Sequence, residues 1–316
     1  MVGPAEQGPS AVFTKHRFDM THASHAPSSD YRPLDTAWVR SLRAGIRPTE
    51  AQLRDHLLAV HARYAGFTES CARRCVDPEG RNSYQWLAEL VEGGDRVLDL
   101  ACGSGVLLEI CHERFGEAVQ LSGVDMSADE LALARTRLGR HARLQRAFAQ
   151  ELRFAKDASF DVVLCHWALA QMDPIEPVLQ EIARVLADGG RFGAIVDGEP
   201  GTSVSYDGLD ELIFEWVAAE CPGYANCDLG DARLRRRAEM ERLVSSYFPD
   251  AEVSFEPSVV RLTSEPSVLA REAVGFYYAS FVLSEQAHAR MLEAVEAFFE
   301  SGQSFEMPIH RLVVRR

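Results

Sequence analysis

Downstream of residue 95, short apolar runs alternate with stretches whose apolar positions recur every three or four residues. The runs Val97–Leu100, Leu121–Val124, Leu144–Phe148, Phe160–Cys165 and Arg191–Val196 read as strands. Helices are expected between them: one opening at Val106, one from Ser127 through Leu138, and one capped by Asp173-Pro174 and ending at Gly189-Gly190. Ser127 and Glu130 have the spacing of a capping box, in which each side chain satisfies the other residue's backbone N–H. Strand and helix in strict alternation predict a doubly wound parallel α/β sheet.

The flanks read differently. Residues 1–35 lack apolar periodicity and are expected to form a mobile arm, with Phe13 and Phe18 as docking side chains. Helices follow over Thr36–Ala44, from a Thr49/Gln52 capping box with the stripe Leu53, Leu57, Leu58, His61, Tyr64, and over Ser83–Val91. Residues 199–250 exceed an ordinary connection and carry helical patterns near 207–219 and 231–247, an insertion expected at the sheet's carboxyl edge. The tail predicts a strand over Val253–Leu262, one long helix over Ser267–Phe299 and a strand over Met307–Val314.

With 316 residues, 47% of them hydrophobic, the chain can bury a large core. A net charge of −14 argues against a nucleic-acid partner, which would need a basic face. No apolar run approaches membrane-spanning length and the N-terminus lacks a signal peptide's apolar centre, so no membrane partner is expected and a cytoplasmic location is. Seven cysteines, an odd number set in core-like elements, suit a reducing compartment. Cys71 and Cys75 stand one helical turn apart, but no second pair or histidine follows at zinc-like spacing, and no metal is expected.

The chemistry concentrates where the first strand ends, at Asp99-Leu100-Ala101-Cys102-Gly103-Ser104-Gly105. Gly103 and Gly105 permit positive φ and close backbone approach, and the helix behind them presents free N–H groups. Asp125, at the tip of the second strand, stands where a carboxylate can accept both hydroxyls of a ribose. A dinucleotide fingerprint would need a third glycine where Leu108 stands, which argues against NAD or FAD.

Asp99, Ala101, Gly103 and Gly105 resemble motif I of the class I S-adenosylmethionine-dependent methyltransferases, and Asp125-Met126 resembles their acidic β2 terminus. The resemblance implies a seven-stranded, mostly parallel sheet and S-adenosyl-L-methionine as cofactor, with S-adenosyl-L-homocysteine as product. It implies an N-terminal helical lid over 36–82 and a methyltransferase core over 83–316, with the 199–250 insertion lining the acceptor site. Asp99, Ala101 and Gly103 would meet the methionine portion, Asp125 the ribose and Met126 the adenine. Residues 147–154 resemble the family's Asp-Ala-x-x-Leu-Pro-Phe loop, with Phe148 in place of the acid and Arg153 in place of the proline; Ala149 and Gln150 are expected to serve the adenine.

Cys165-His166-Trp167 falls at the tip of the fourth strand, where the family brings methyl group and acceptor together. His166 is expected to act as a base near neutral pH, with Cys165 beside the cofactor. Trp167, Tyr64 and Tyr278 are expected to face the acceptor, and the acidic run Asp207, Asp210, Glu211, Glu215 to form a solvated face. The expected function is methyl transfer to an oxygen or nitrogen, or a carbon, of a small molecule, by a chain that can pair as a homodimer. The rival readings are a non-methylating enzyme that uses the sulfonium as a fixed charge and a nucleoside-sensing module.

Overall fold

The computed structural model describes residues 31–227 and 229–316. Phe13 and Phe18 lie outside the described residues. The last residues of the expected arm are pinned: Tyr31 is buried and donates to the carbonyls of Ser280 and Leu283, and the Tyr64 hydroxyl bonds the backbone of Arg32. A tyrosine with both ring and hydroxyl satisfied holds backbone that composition alone reads as loose.

Seven strands form one sheet: β1 (Arg96–Leu100), β2 (Gln120–Asp125), β3 (Ala142–Arg146), β4 (Phe160–His166), β5 (Leu186–Asp197), β6 (Glu252–Leu262) and β7 (Phe305–Arg315). Their order is β3-β2-β1-β4-β5-β7-β6, with β1 to β5 parallel and β7 antiparallel to both neighbours. From β1 the chain goes first to β2 on one side and later to β4 on the other. That reversal opens a crevice at the carboxyl ends of β1 and β4.

Eleven α-helices are described among these residues. α1 (Ala37–Arg43), α2 (Glu50–Arg63), α3 (Glu69–Arg74) and α4 (Ser83–Ala88) precede the sheet; α5 (Val106–Phe115), α6 (Ala128–Leu138) and α7 (Glu176–Val185) connect its parallel strands. α8 (Val204–Glu220) and α9 (Arg237–Tyr247) follow β5, and α10 (Pro266–Phe276) and α11 (Glu285–Glu300) lie between β6 and β7. The period-two alternation of strand side chains sorts the core into two layers. Val97, Val162 and Leu164 pack with α4, α5 and the C-terminal helices, whereas Leu98, Leu100, Val163 and Cys165 pack with α7 and α9. Asp99 and His166 therefore share the first face, and Cys165 is turned away from them.

Local chemistry departs from three expectations. The single helix over 267–299 is broken: α10 stops at Phe276, a 3-10 turn spans Tyr278–Val282, and Ser284 caps α11 by accepting from the Ala287 N–H. Glu220 accepts from the Ser284 N–H and hydroxyl, fixing that restart from a different helix. Asp173 caps nothing, because α7 begins after Ile175 without a side-chain cap. Ser127 accepts from the Glu130 N–H, but the Glu130 carboxylate does not return to Ser127; it reaches α2 instead.

Gly193 on β5 lets α4 lie close to the sheet, since a Cβ there would come within 2.2 Å of Leu90 Cδ1 and 3.1 Å of Leu87 Cδ1. Both leucines are buried and have little room to withdraw. Gly193→Ala is expected to cost about 1–3 kcal/mol as an overpacking penalty, read from the urea unfolding midpoint.

Candidate active site

The glycine turn is closed onto the neighbouring strand tip by a carboxylate. Asp125 Oδ2 accepts from the Gly103 N–H at 2.9 Å and Oδ1 from the Ser127 N–H at 2.8 Å, while the Cys102 N–H donates to the Val124 carbonyl at 2.9 Å. Ala101 (φ 58°) and Gly103 (φ 50°) both take left-handed backbone to make the turn, a strain an alanine accepts only where the surroundings over-determine it. Burial raises the pKa of Asp125, partly offset by the two N–H groups and nearby His61. Asp99 is 1% exposed, and burial followed by the Asp125 charge pushes its carboxyl well above the usual range. Its Oδ1 has no partner among the described residues.

A cavity of about 900 Å³ opens over this turn. Asp99, Ala101, Gly103, Asp125 and Met126 line it, as do Ala149 and Gln150 on the loop after β3. Gly105 (φ 83°) and Cys165 do not. A Cβ on Gly105 would meet Leu138 Cδ1 at 2.9 Å and Ala134 Cβ at 3.1 Å, so this glycine lets α5 start against α6 rather than a ligand approach. Cys165 is buried in the opposite core layer.

His166, Trp167 and Tyr278 line the cavity, and Tyr64 does not. α2 presents Glu50, Leu53, Arg54, Leu57 and His61 to it at helical spacing. Tyr64 falls at the C-cap, leaves that stripe and stacks on Phe281 at 5.0 Å. His166 Nε2 is 2.9 Å from the Ser83 hydroxyl and its ring stacks on Tyr84 at 3.7 Å. Burial lowers its pKa to about 3, so it stays neutral at physiological pH. Trp167 has left-handed backbone (φ 55°), donates from Nε1 to Asp197 Oδ1 at 3.0 Å and sets its ring edgewise to Phe276 at 4.9 Å.

Two groups escape sequence reasoning. Glu130 Oε1 accepts from the Gly66 N–H at 2.8 Å and lies 2.8 Å from His61 Nδ1, whose Nε2 is 2.8 Å from the Tyr278 hydroxyl. This chain joins α6, α2 and the turn after α10 across one side of the cavity, and a capping-box spacing concealed it. On the other side, α8 turns Tyr206, Asp207, Asp210 and Phe214 inward, beside Asp197 at the tip of β5, and leaves Glu211 and Glu215 exposed. The expected solvated face is therefore only half solvated. The 206-207-210-214 spacing, with aromatics among the acids, was the available signal. Away from the cavity, His112, Glu117 and His141 bring ligand atoms within 4.8 Å of one another, a surface group that stacks and hydrogen-bonds internally.

The seven-stranded, mostly parallel sheet with flanking helices, its reversal between β1 and β4 and the glycine turn at its carboxyl edge are consistent with the class I methyltransferase fold. Residues 97–190 match the family model described as a methyltransferase domain. Among curated proteins, the demethylmenaquinone methyltransferase of Symbiobacterium thermophilum is 35% identical over 34% of this chain and 44% of its own length. The ubiquinone/menaquinone biosynthesis C-methyltransferase UbiE of Desulfotalea psychrophila is 34% identical over 42% and 56% respectively. The chain thus spans about half the length of the curated relatives it matches. Two solved structures share the fold: the [4+2]-cyclase SpnF (TM-score 0.53, 20% identity, 85% of this chain and 97% of that one) and Haemonchus contortus phosphoethanolamine N-methyltransferase 2 (TM-score 0.52, 18% identity, 84% and 60%).

Asp210 supplies a pH test of this geometry. Burial first, then the charges of Asp197 and Asp207, raise its pKa to about 6 despite nearby Tyr277 and Arg235. A carboxyl whose folded pKa exceeds its unfolded value of 3.8 has no effect on stability below that value; its penalty grows as pH rises towards 6 and is complete above. Asp210→Asn is therefore expected to stabilise the chain by about 1 kcal/mol at about pH 8, discounted for partial exposure, and by less at about pH 5. Urea melts at the two pH values check the sign.

Proposed function

We propose that the chain catalyses methyl transfer from S-adenosylmethionine to an oxygen, nitrogen or carbon atom of a small molecule. The observation that carries this reading is the unpaired, buried oxygen of Asp99, facing a cavity beside a strained turn whose neighbouring strand ends in a carboxylate. Those features fit the cofactor. Asp99 offers a buried acceptor for an ammonium, Gly103 and Ala101 expose backbone without a bulky side chain, and Asp125 keeps lone pairs beyond its two N–H bonds for ribose hydroxyls. Met126, Ala149 and Gln150 line the same cavity and would meet the adenine.

When bound, the sulfonium supplies an already activated methyl group, so the protein's task is alignment and exclusion of water. α1 to α3 serve as a lid and the 199–250 insertion walls the acceptor side. Trp167 is held in place by its bond to Asp197 and its contact with Phe276, and so sets one wall. His166 acts as a neutral, fixed surface in this reading and gives no reason to favour oxygen or nitrogen over carbon. The UbiE relative is itself a C-methyltransferase.

A second reading keeps the cofactor and drops the transfer, since a cyclase shares the fold. Incubation of the purified chain with methyl-labelled donor and a metabolite extract separates the two: label is expected in a small-molecule product, and its absence alongside donor binding favours the second. Asp125→Ala is expected to weaken S-adenosylhomocysteine binding by roughly ten- to a hundredfold, as loss of hydrogen bonds to a charged acceptor does. Unchanged affinity by calorimetry in a folded variant would remove Asp125 from the site.

A further inference from the structure

The acceptor side of the cavity holds three carboxylates and an unusual number of aromatic rings. Asp197 from β5 and Asp207 and Asp210 from α8 face it together with Trp167, Phe214 and Phe276, and with Tyr206, Tyr224 and Tyr277. Asp207 spends both oxygens on the Gly201 N–H. Asp197 accepts only from Trp167 Nε1, through one oxygen. Among the described residues no basic side chain forms a salt bridge with Asp197 or Asp210. Arg235, the nearby cation, is exposed and directs its guanidinium to the Leu229 carbonyl at 2.8 Å.

A second observation points to a missing ligand. Tyr224 lines the cavity, is only 7% exposed, and its hydroxyl has no hydrogen-bond partner among the described residues. The Tyr277 hydroxyl lies beside Asp210 and Tyr206 and interacts with both. A wall with two carboxylates that form no salt bridge, one unpartnered tyrosine hydroxyl and several π faces is suited to a cation. Carboxylates attract a cation, and ring faces attract the same cation. An anionic or purely apolar occupant would leave the acids desolvated and unpaired.

We propose that the acceptor carries a basic amine, bound as its ammonium by Asp197 and Asp210 between the rings of Trp167, Phe214, Phe276 and Tyr224. This rests on the methyl-transfer reading for the identity of the neighbouring cofactor, and it concerns recognition of the acceptor rather than which of its atoms is methylated. Asp197 is exposed at the cavity wall and Asp210 is half-buried, with its pKa raised to about 6, first by burial; both are consistent with carboxylates open to a counter-charge. The groups facing them are Asp207, Tyr206, Tyr224, Tyr277, Trp167 and Arg235. Asp210, with its pKa raised to about 6, makes binding change near neutrality.

The experiment uses the full chain with phenethylamine and tryptamine against the isosteric alcohols 2-phenylethanol and tryptophol. Titration calorimetry is run with and without S-adenosylhomocysteine, on the parent and on Asp197→Asn/Asp210→Asn. The amines are expected to bind the parent about tenfold or more tightly than the alcohols, a preference lost in the double variant and reduced as pH falls below about 6. Equal binding of alcohols and amines, a preference that survives in the double variant, or no amine binding at millimolar concentration overturns the proposal. S-adenosylhomocysteine binding in the same samples reports separately on the cofactor reading. Its loss in the parent sinks that reading, whereas its retention in the double variant shows an intact fold.

Discussion

One carboxylate holds the centre of this molecule together. Asp125 accepts the N–H of Gly103 from the turn after β1 and the N–H of Ser127 at the start of α6, so three elements meet on two oxygens. Charge-assisted bonds to backbone donors are short and directional, and these fix the path of a turn that needs left-handed alanine and glycine. Everything placed at the carboxyl edge depends on that clamp: the pocket over Asp99, the position of Glu130 one turn into α6, and through Glu130 the seating of α2.

The clamp explains how a strained strand edge coexists with a rigid fold. Below the edge, two apolar layers made by alternating strand residues are fully packed. Above it, charge and strain collect: Ala101 and Trp167 with left-handed backbone, and, among the described residues, Asp99 with an unpaired oxygen and Asp197 and Asp210 without a salt bridge. Such features are costly, each on the order of 1–3 kcal/mol for backbone strain, and persist where a ligand's binding compensates them.

The parallel core was legible because its signals are local. Strand runs, glycine turn and terminal acid follow one another within a few residues, and the periodicity of apolar positions needs no partner to be read. The capping boxes at Thr49 and Ser127 show the limit. The Gln52 carbonyl oxygen accepts from the Thr49 N–H while its amide group reaches Ser41, and both halves of the box form. Glu130 has a competing demand from the Gly66 N–H and His61, far away in sequence, and tertiary geometry wins. The same holds for Tyr64, removed from its stripe by a helix end, and for α8, whose acids face inward because their helix lies along the cavity. The break between α10 and α11 was hidden likewise, since Ser284 works as a cap only with Glu220 of another helix beneath it. Cys165 differs: strict alternation from His166 already assigns it to the opposite face.

The chain contains four tryptophans, of which Trp38 and Trp86 are sealed in the core. Trp167 alone among them stands in the cavity wall, with its indole N–H on a carboxylate and its ring between an imidazole and a phenyl group. Indole emission responds to field and quenching by such neighbours, so the molecule comes with an optical gauge built into its acceptor chamber. Filling of that chamber can be followed by light, without a dye or a tag.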